Sequence, residues 1–99
     1  MVKRKIIWDI LARTSLKNII AHIKEDSVQN AEFVKKENFA VIKEIPKNPE
    51  RYAVDKYKQD SNSNFRALEI YYVRIAYFIE PTAIRIVRIR STYQELLEY

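Results

Sequence analysis

Ninety-nine residues with a net charge of +5 are enough for one domain and too few for two. The chain has no cysteine, no glycine and one histidine, His22. This excludes disulfides, thiolate and multi-histidine metal sites, cysteine nucleophiles, the Walker-type phosphate loop and the dinucleotide-binding fingerprint, so neither a cofactor nor a metal is expected.

Residues 3–8 form a strand candidate, with Ile6, Ile7 and Trp8 supplying β-branched and aromatic character. The same start, MVKRKIIWDIL, sets basic residues before an apolar patch. Asp9 breaks that patch and no small-residue cleavage site follows, so no signal peptide is expected. No apolar run approaches the roughly 20 residues that a spanning helix needs. The expectation is a cytoplasmic protein without a membrane partner.

Asp9 offers a helix N-cap, and Ala12, Leu16, Ile19, Ile20 and Ile23 then fall at helical spacing, which predicts a helix over 10–24. Asp26 or Ser27 can cap a second helix over 28–44, with Ala31, Val34, Asn38, Ile42 and Ile45 as its stripe and Phe39 widening it. Pro46 ends it and Pro49 follows in a loop. A short edge strand is expected within 50–57, then a polar surface loop over 58–64. Strands follow over 65–71, 72–79 and 83–90, with Glu80, Pro81 and Thr82 as the turn between the last two. Strands joined by short turns pair antiparallel, and the helical hairpin must cover one face of their sheet. The fold class is α+β: an N-terminal strand and an α-helical hairpin packed on a mainly antiparallel sheet of four to five strands. The whole chain, residues 1–99, forms a single domain.

The chemistry lies in the arginines. Arg66, Arg74, Arg85, Arg88 and Arg90 all fall within one sheet, and Lys56 and Lys58 border it. A guanidinium presents a planar fork of donors suited to phosphates and carboxylates. A surplus of positive charge favours encounter with nucleic acid or an acidic protein. Against this stands the ordinary role of surface arginine, ion pairing, with Glu69, Glu80 and Glu95 as available partners. His22 beside the apolar stripe reads as a rim residue, and Trp8 as a core one. Tyr71, Tyr72 and Tyr77 read as packing groups.

The order of elements resembles that of the RelE/ParE toxins of bacterial type II toxin–antitoxin modules, most closely the ParE-like plasmid stabilisation proteins. The pieces that carry the likeness run the length of the chain. They are Ile7-Trp8 with Ala12, Leu16, Ile19 and Ile23, then Ile45-Pro46 with Pro49, then Asn64-Phe65-Arg66-Ala67-Leu68. Tyr72-Val73-Arg74-Ile75-Ala76-Tyr77, Ile84-Arg85-Ile86-Val87-Arg88-Ile89-Arg90 and the ending Leu97-Glu98-Tyr99 complete them. Where relatives of this type often carry a histidine after the last strand, this chain has Ser91. Where they continue with an arginine and a proline, it has Gln94 and Leu96.

The resemblance implies a toxin that acts in plasmid maintenance and growth inhibition and is neutralised by a cognate antitoxin, whose acidic C-terminal segment folds onto it. An apolar groove beside the helices of a basic domain would suit such a segment. A ParE-like member would inhibit DNA gyrase by contact, with Arg66, Arg74, Arg88, Arg90, Lys56 and Lys58 as its binding residues. A RelE-like member would instead cut messenger RNA on the ribosome. Arg66 and Arg88 would then hold phosphate, and Tyr93 would transfer the proton. A third alternative is a non-toxic relative that only binds a protein partner. A homodimer and a heteromeric complex with the antitoxin are both open.

Overall fold

The computed structural model describes residues 3–59, 62–93 and 99. Strand β1 (Lys5–Trp8) leads into helix α1 (Ile10–Asp26) and helix α2 (Val28–Glu44). Two short 3-10 turns, Ile45–Lys47 and Pro49–Arg51, precede strands β2 (Phe65–Ile70), β3 (Val73–Ile79) and β4 (Ala83–Ser91). The sheet order is β1-β4-β3-β2. The last three strands pair antiparallel, and β1 lies parallel to β4 from Lys5 opposite Ala83 to Trp8 opposite Ile86. This is the expected α+β architecture with four strands.

The helical hairpin closes without glycine because Ser27 serves both helices. Its N–H bonds Ile23 O at the end of α1, and its hydroxyl accepts from Asn30 N–H at 3.0 Å to cap α2. Asp9 occupies the N-cap position of α1 but makes no side-chain cap; its carboxylate faces Arg85 instead, at 3.3 Å. The apolar stripe of the hairpin, led by Leu16, Val34, Ile42 and Ile45, packs on Val73, Ile75, Tyr77, Ile79, Ile84, Ile86 and Ile89 of the sheet. Asn38, placed in the stripe by its spacing, is fully buried there and donates to Val34 O at 2.9 Å. Trp8 is half-buried against the core, its ring 5.9 Å from that of Phe39.

Two expectations change. The segment expected as an edge strand within 50–57 forms the second 3-10 turn and a single bridge, Val54 to Arg66. Pro46 and Pro49 precede it and start the two 3-10 turns. Tyr71 and Tyr72, expected at the end of one strand and the start of the next, are the two-residue turn between them, at φ 40° and 70°. A tight hairpin turn of this kind needs positive φ at both central residues. The penalty of roughly 1–2 kcal/mol per non-glycine residue is offset by ring contacts: Tyr71 edge-on to Phe33 at 4.8 Å, and Tyr72 stacked on Tyr93 at 5.4 Å.

Strand β4 also carries a β-bulge. Ala76 faces Arg88 while Tyr77 faces Ile86, so Val87 has no partner across the ladder. The extra residue resets the two-residue alternation. Ile84, Ile86 and Ile89 all stay in the core, and Arg85, Arg88 and Arg90 all come to the face that the helices leave uncovered.

Candidate functional site on the helix-free face of the sheet

Strand β4 brings Arg88 and Arg90 to this face, and β3 brings Arg74 directly opposite Arg90. Like charges so placed repel, and the chain answers with an acid from outside the sheet. After the second 3-10 turn the backbone runs beside β2, through Asp55 N–H to Phe65 O at 2.8 Å and Ala67 N–H to Ala53 O at 3.1 Å. That path delivers the Asp55 carboxylate, 1% exposed, to the arginines. Asp55 Oδ1 accepts from Arg74 Nη2 at 2.8 Å and from Tyr57 N–H at 3.0 Å, and Oδ2 accepts from the Tyr99 hydroxyl at 2.5 Å. Glu69 holds the other branch of Arg74 at 2.9 Å.

Burial pushes the Asp55 carboxyl up, but hydrogen bonds from Tyr99, Tyr57 N–H and Arg74, with the Arg74 charge, outweigh it and leave the group below its ordinary value. The Tyr99 phenol is pushed up, by burial first and then by its bond to the Asp55 carboxylate. Burial, and next the charge of Arg90, lower the Arg88 guanidinium.

Aromatic rings complete the surface. The Arg88 guanidinium lies 4.4 Å from the centre of the Tyr99 ring and that of Arg74 4.7 Å from the Tyr57 ring. Lys58 Nζ lies 4.9 Å from the Tyr99 ring and 5.0 Å from that of Phe65. Lys56 Nζ sits 5.3 Å from the Tyr57 ring. Each is a cation over a π face, and Arg74 is in addition ion-paired with Asp55 and Glu69. Among the described residues, Arg90 Nε is a buried donor without an acceptor.

The structure therefore gathers Arg74, Arg88, Arg90 and Lys58 with Lys56 at the margin. It does not gather Arg66 or Tyr93 with them. Arg66 stands opposite Tyr77, in register with the core-facing residues of β2 and β3. Its guanidinium donates to the carbonyls of Ser63, Tyr52 and Glu50 at 2.6, 2.9 and 3.3 Å. Its job is to tie the 50–52 and 63 backbone to β2. Tyr93 is 80% exposed and stacks on Tyr72 in a groove of about 670 Å³ shared with Asn18, His22 and Asp26 of α1. Arg85 is a structural ion-pair residue: hydrogen bonds to Glu80 at 2.8 Å and to Asp9 at 3.3 Å hold it and raise its pKa. His22 is exposed, 3.6 Å from Glu25. Ser91 ends β4 opposite Val73; Gln94 and Leu96 lie outside the described residues.

Sequence reasoning missed Asp55, Tyr57 and Tyr99. Asp55 left one usable signal, a lone acid among Arg51, Lys56 and Lys58. Tyr99 left none, since its contacts depend on the path of the chain after β4.

A second surface lies between the helices. Trp8, Leu16, Ile20, Ala31 and Phe39 line a groove of about 520 Å³ whose rim carries Arg13, Lys17, Lys24 and Lys35 against the single acid Glu32. Among the described residues no helix is long and apolar enough to cross a membrane, and no group of side chains is placed to hold a metal ion.

The chain matches the model of the family described as ParE toxin of type II toxin-antitoxin system, parDE, over residues 6–96. No curated protein matches it. Among solved structures it is similar to a chain of the chromosomal ParDE TA system from P. aeruginosa, with a TM-score of 0.70 and 16% identity over 90% of this chain and 96% of that one. At that identity the likeness is one of fold. The family match takes in β1, both helices and the whole sheet, and the chain belongs to the ParE toxins of type II toxin–antitoxin systems.

Proposed function

We propose that this ParE-family toxin engages its target through the helix-free face of its sheet, with Arg74, Arg88, Arg90, Lys58 and Lys56 as the binding residues. The observation that carries this reading is the register of β3 and β4, which sets Arg88 and Arg90, two residues apart, on the helix-free face beside Arg74. A cationic surface so arranged steers an acidic target into contact. Inhibition by contact, with gyrase as the target that the family suggests, fits better than RNA cleavage. Cleavage would need cations and a proton-transfer group converging on one phosphate, whereas Arg66, Arg88 and Tyr93 stand apart. The antitoxin would lie in the groove between α1 and α2, whose apolar floor and basic rim suit an acidic amphipathic segment.

The test is viable counts after induced expression in bacteria. Wild type is expected to kill, with a DNA-damage response and intact messenger RNA, and Arg88→Ala with Arg90→Ala is expected to be harmless at equal expression. Cleaved messenger RNA would establish the ribonuclease alternative instead. Killing by the double variant would remove the basic face from the mechanism.

A further inference from the structure

Tyr99 lies on the basic face in the manner of a bound ligand. Its N–H donates to Tyr57 O at 2.8 Å, and its carbonyl accepts from Gln59 N–H at 2.5 Å. That is the bonding pattern of a parallel strand added alongside residues 57–59. The carbonyl also accepts from Lys58 Nζ at 3.4 Å, the hydroxyl reaches Asp55, and the ring lies under the Arg88 guanidinium. As a ligand it is incomplete. It brings aromatic surface but offers Arg90 no acceptor, and Arg90 Nε stays buried and unpaired. Among the described residues, the acids beside Arg74, Asp55 and Glu69, are both engaged by it. A buried donor without a partner is costly, and a carboxylate oxygen placed beside Arg90 removes that cost.

We propose that Tyr99 is a built-in occupant of the basic face, which an extended acidic peptide displaces by pairing with Tyr57 O and Gln59 N–H and placing a carboxylate on Arg90. The proposal rests on the reading that this face meets the target, and it adds how the face is kept covered until the target arrives. A peptide is favoured over a nucleic acid because two of the contacts that Tyr99 makes are backbone strand pairings, which a phosphodiester chain cannot reproduce. A site occupied by its own chain binds a ligand with its intrinsic affinity reduced by the fraction of open molecules, so loosening the occupant must tighten the ligand.

The experiment titrates a hexaglutamate peptide into the isotope-labelled full chain and follows the amide of Gln59 and the Nε–H of Arg90. In wild type both signals should move together and saturate. Tyr99→Ala should bind about tenfold more tightly, the gain expected when a competing charge-assisted hydrogen bond and ring contact are removed. Tyr99→Phe, which keeps the ring and the backbone pairing, should fall between the two, and Arg90→Ala should abolish the response. Amide spectra verify that each variant is folded. Equal affinity in wild type and Tyr99→Ala would overturn the proposal, as would the absence of binding to either folded protein. A single-stranded oligonucleotide of matched charge that shows the tightening in place of the peptide would overturn the peptide assignment. If the peptide results hold while Arg88→Ala with Arg90→Ala still kills, the target-binding reading fails and the cover stands.

Discussion

Arg66 on β2 and Arg88 on β4 are both strand arginines of one small sheet, and their surroundings differ. Arg66 faces three backbone carbonyls supplied by the turns and loop beside the sheet edge. Those acceptors hold its position and use the donors that a ligand would need. Arg88 rests on an aromatic ring with Arg90 as its neighbour, on the face that the helices leave uncovered. Residue type alone does not separate a fastening arginine from a binding one. The acceptors that the fold brings to it do, and these come from segments far away in sequence.

The largest effect on stability is expected at the junction of the two regions. In Arg74→Ala the Asp55 carboxylate stays buried without its cation. Breaking a buried ion pair costs about 3–5 kcal/mol. The lower end is expected here, because Tyr57 N–H and Tyr99 still donate to Asp55. A shift of that size in the denaturant midpoint would support Asp55 as the anchor of the site. A change below about 1 kcal/mol, the usual value of an exposed pair, would show that it is not.

Arg66→Ala sharpens the contrast itself. It removes three bonds from a charged donor to carbonyls, for a loss of about 2 kcal/mol, while leaving the Arg88 face intact. Toxicity per folded molecule should therefore survive at a growth temperature low enough to keep the variant folded. Loss of toxicity with an unchanged melting temperature would place Arg66 in the binding surface and erase the distinction.

The pH dependence separates the regions differently. The Asp55 carboxyl titrates below its ordinary value of 3.8 when folded, so the folded state favours its charged form. Its contribution is complete above that value and is lost as pH falls through the folded pKa. Asp55→Asn should flatten the acid limb of a stability profile taken between about pH 5 and pH 2.5. At the other extreme, burial raises the Tyr77 and Tyr99 phenols. Stability should fall as pH climbs past about 10, where phenols in the unfolded chain ionise first. Tyr99→Phe should remove part of that loss, while Arg66→Ala should leave the acid limb unaltered.

The fold was legible in the sequence because its signals are local. Spacing of Ala12, Leu16 and Ile23 defines one helix, and Ser27 with Ala31, Val34 and Ile42 defines the next. The site was legible only in part. Arg74, Arg88 and Arg90 declare themselves as arginines in apolar strands, yet their placement outside the core, with Ile84 and Ile86 inside it, depends on the bulge. That feature is written in Ile84-Arg85-Ile86-Val87-Arg88-Ile89-Arg90 as two alternating runs out of phase, joined at Val87. The same motif predicts that deleting Val87 is tolerated, since the shortened strand alternates perfectly with every arginine still outside. A cost near 1 kcal/mol, the scale of local strand preferences, is expected, and the melting temperature measures it. The Tyr71–Tyr72 turn was hidden because neither residue is a turn former and both favour strands. Only the rings of Phe33 and Tyr93, distant in sequence, make it affordable.

The smallest expected effect on stability is at the site itself. Arg88→Ala with Arg90→Ala removes a cation–π contact with Tyr99, worth about 0.5–1 kcal/mol. It also removes the repulsion of Arg90 by Arg88 beside it and by Arg74 across the ladder, a term of similar size and opposite sign. These two terms nearly cancel, and with the further contacts of Arg88 a net change below about 1 kcal/mol is expected. A binding face selected for its target and not for the fold should behave this way: strong loss of killing with a nearly unmoved denaturant midpoint. Arg66→Ala should show the reverse pattern. If the double variant instead loses several kcal/mol, Arg88 and Arg90 are fastening residues like Arg66, and the difference between the two regions reduces to exposure.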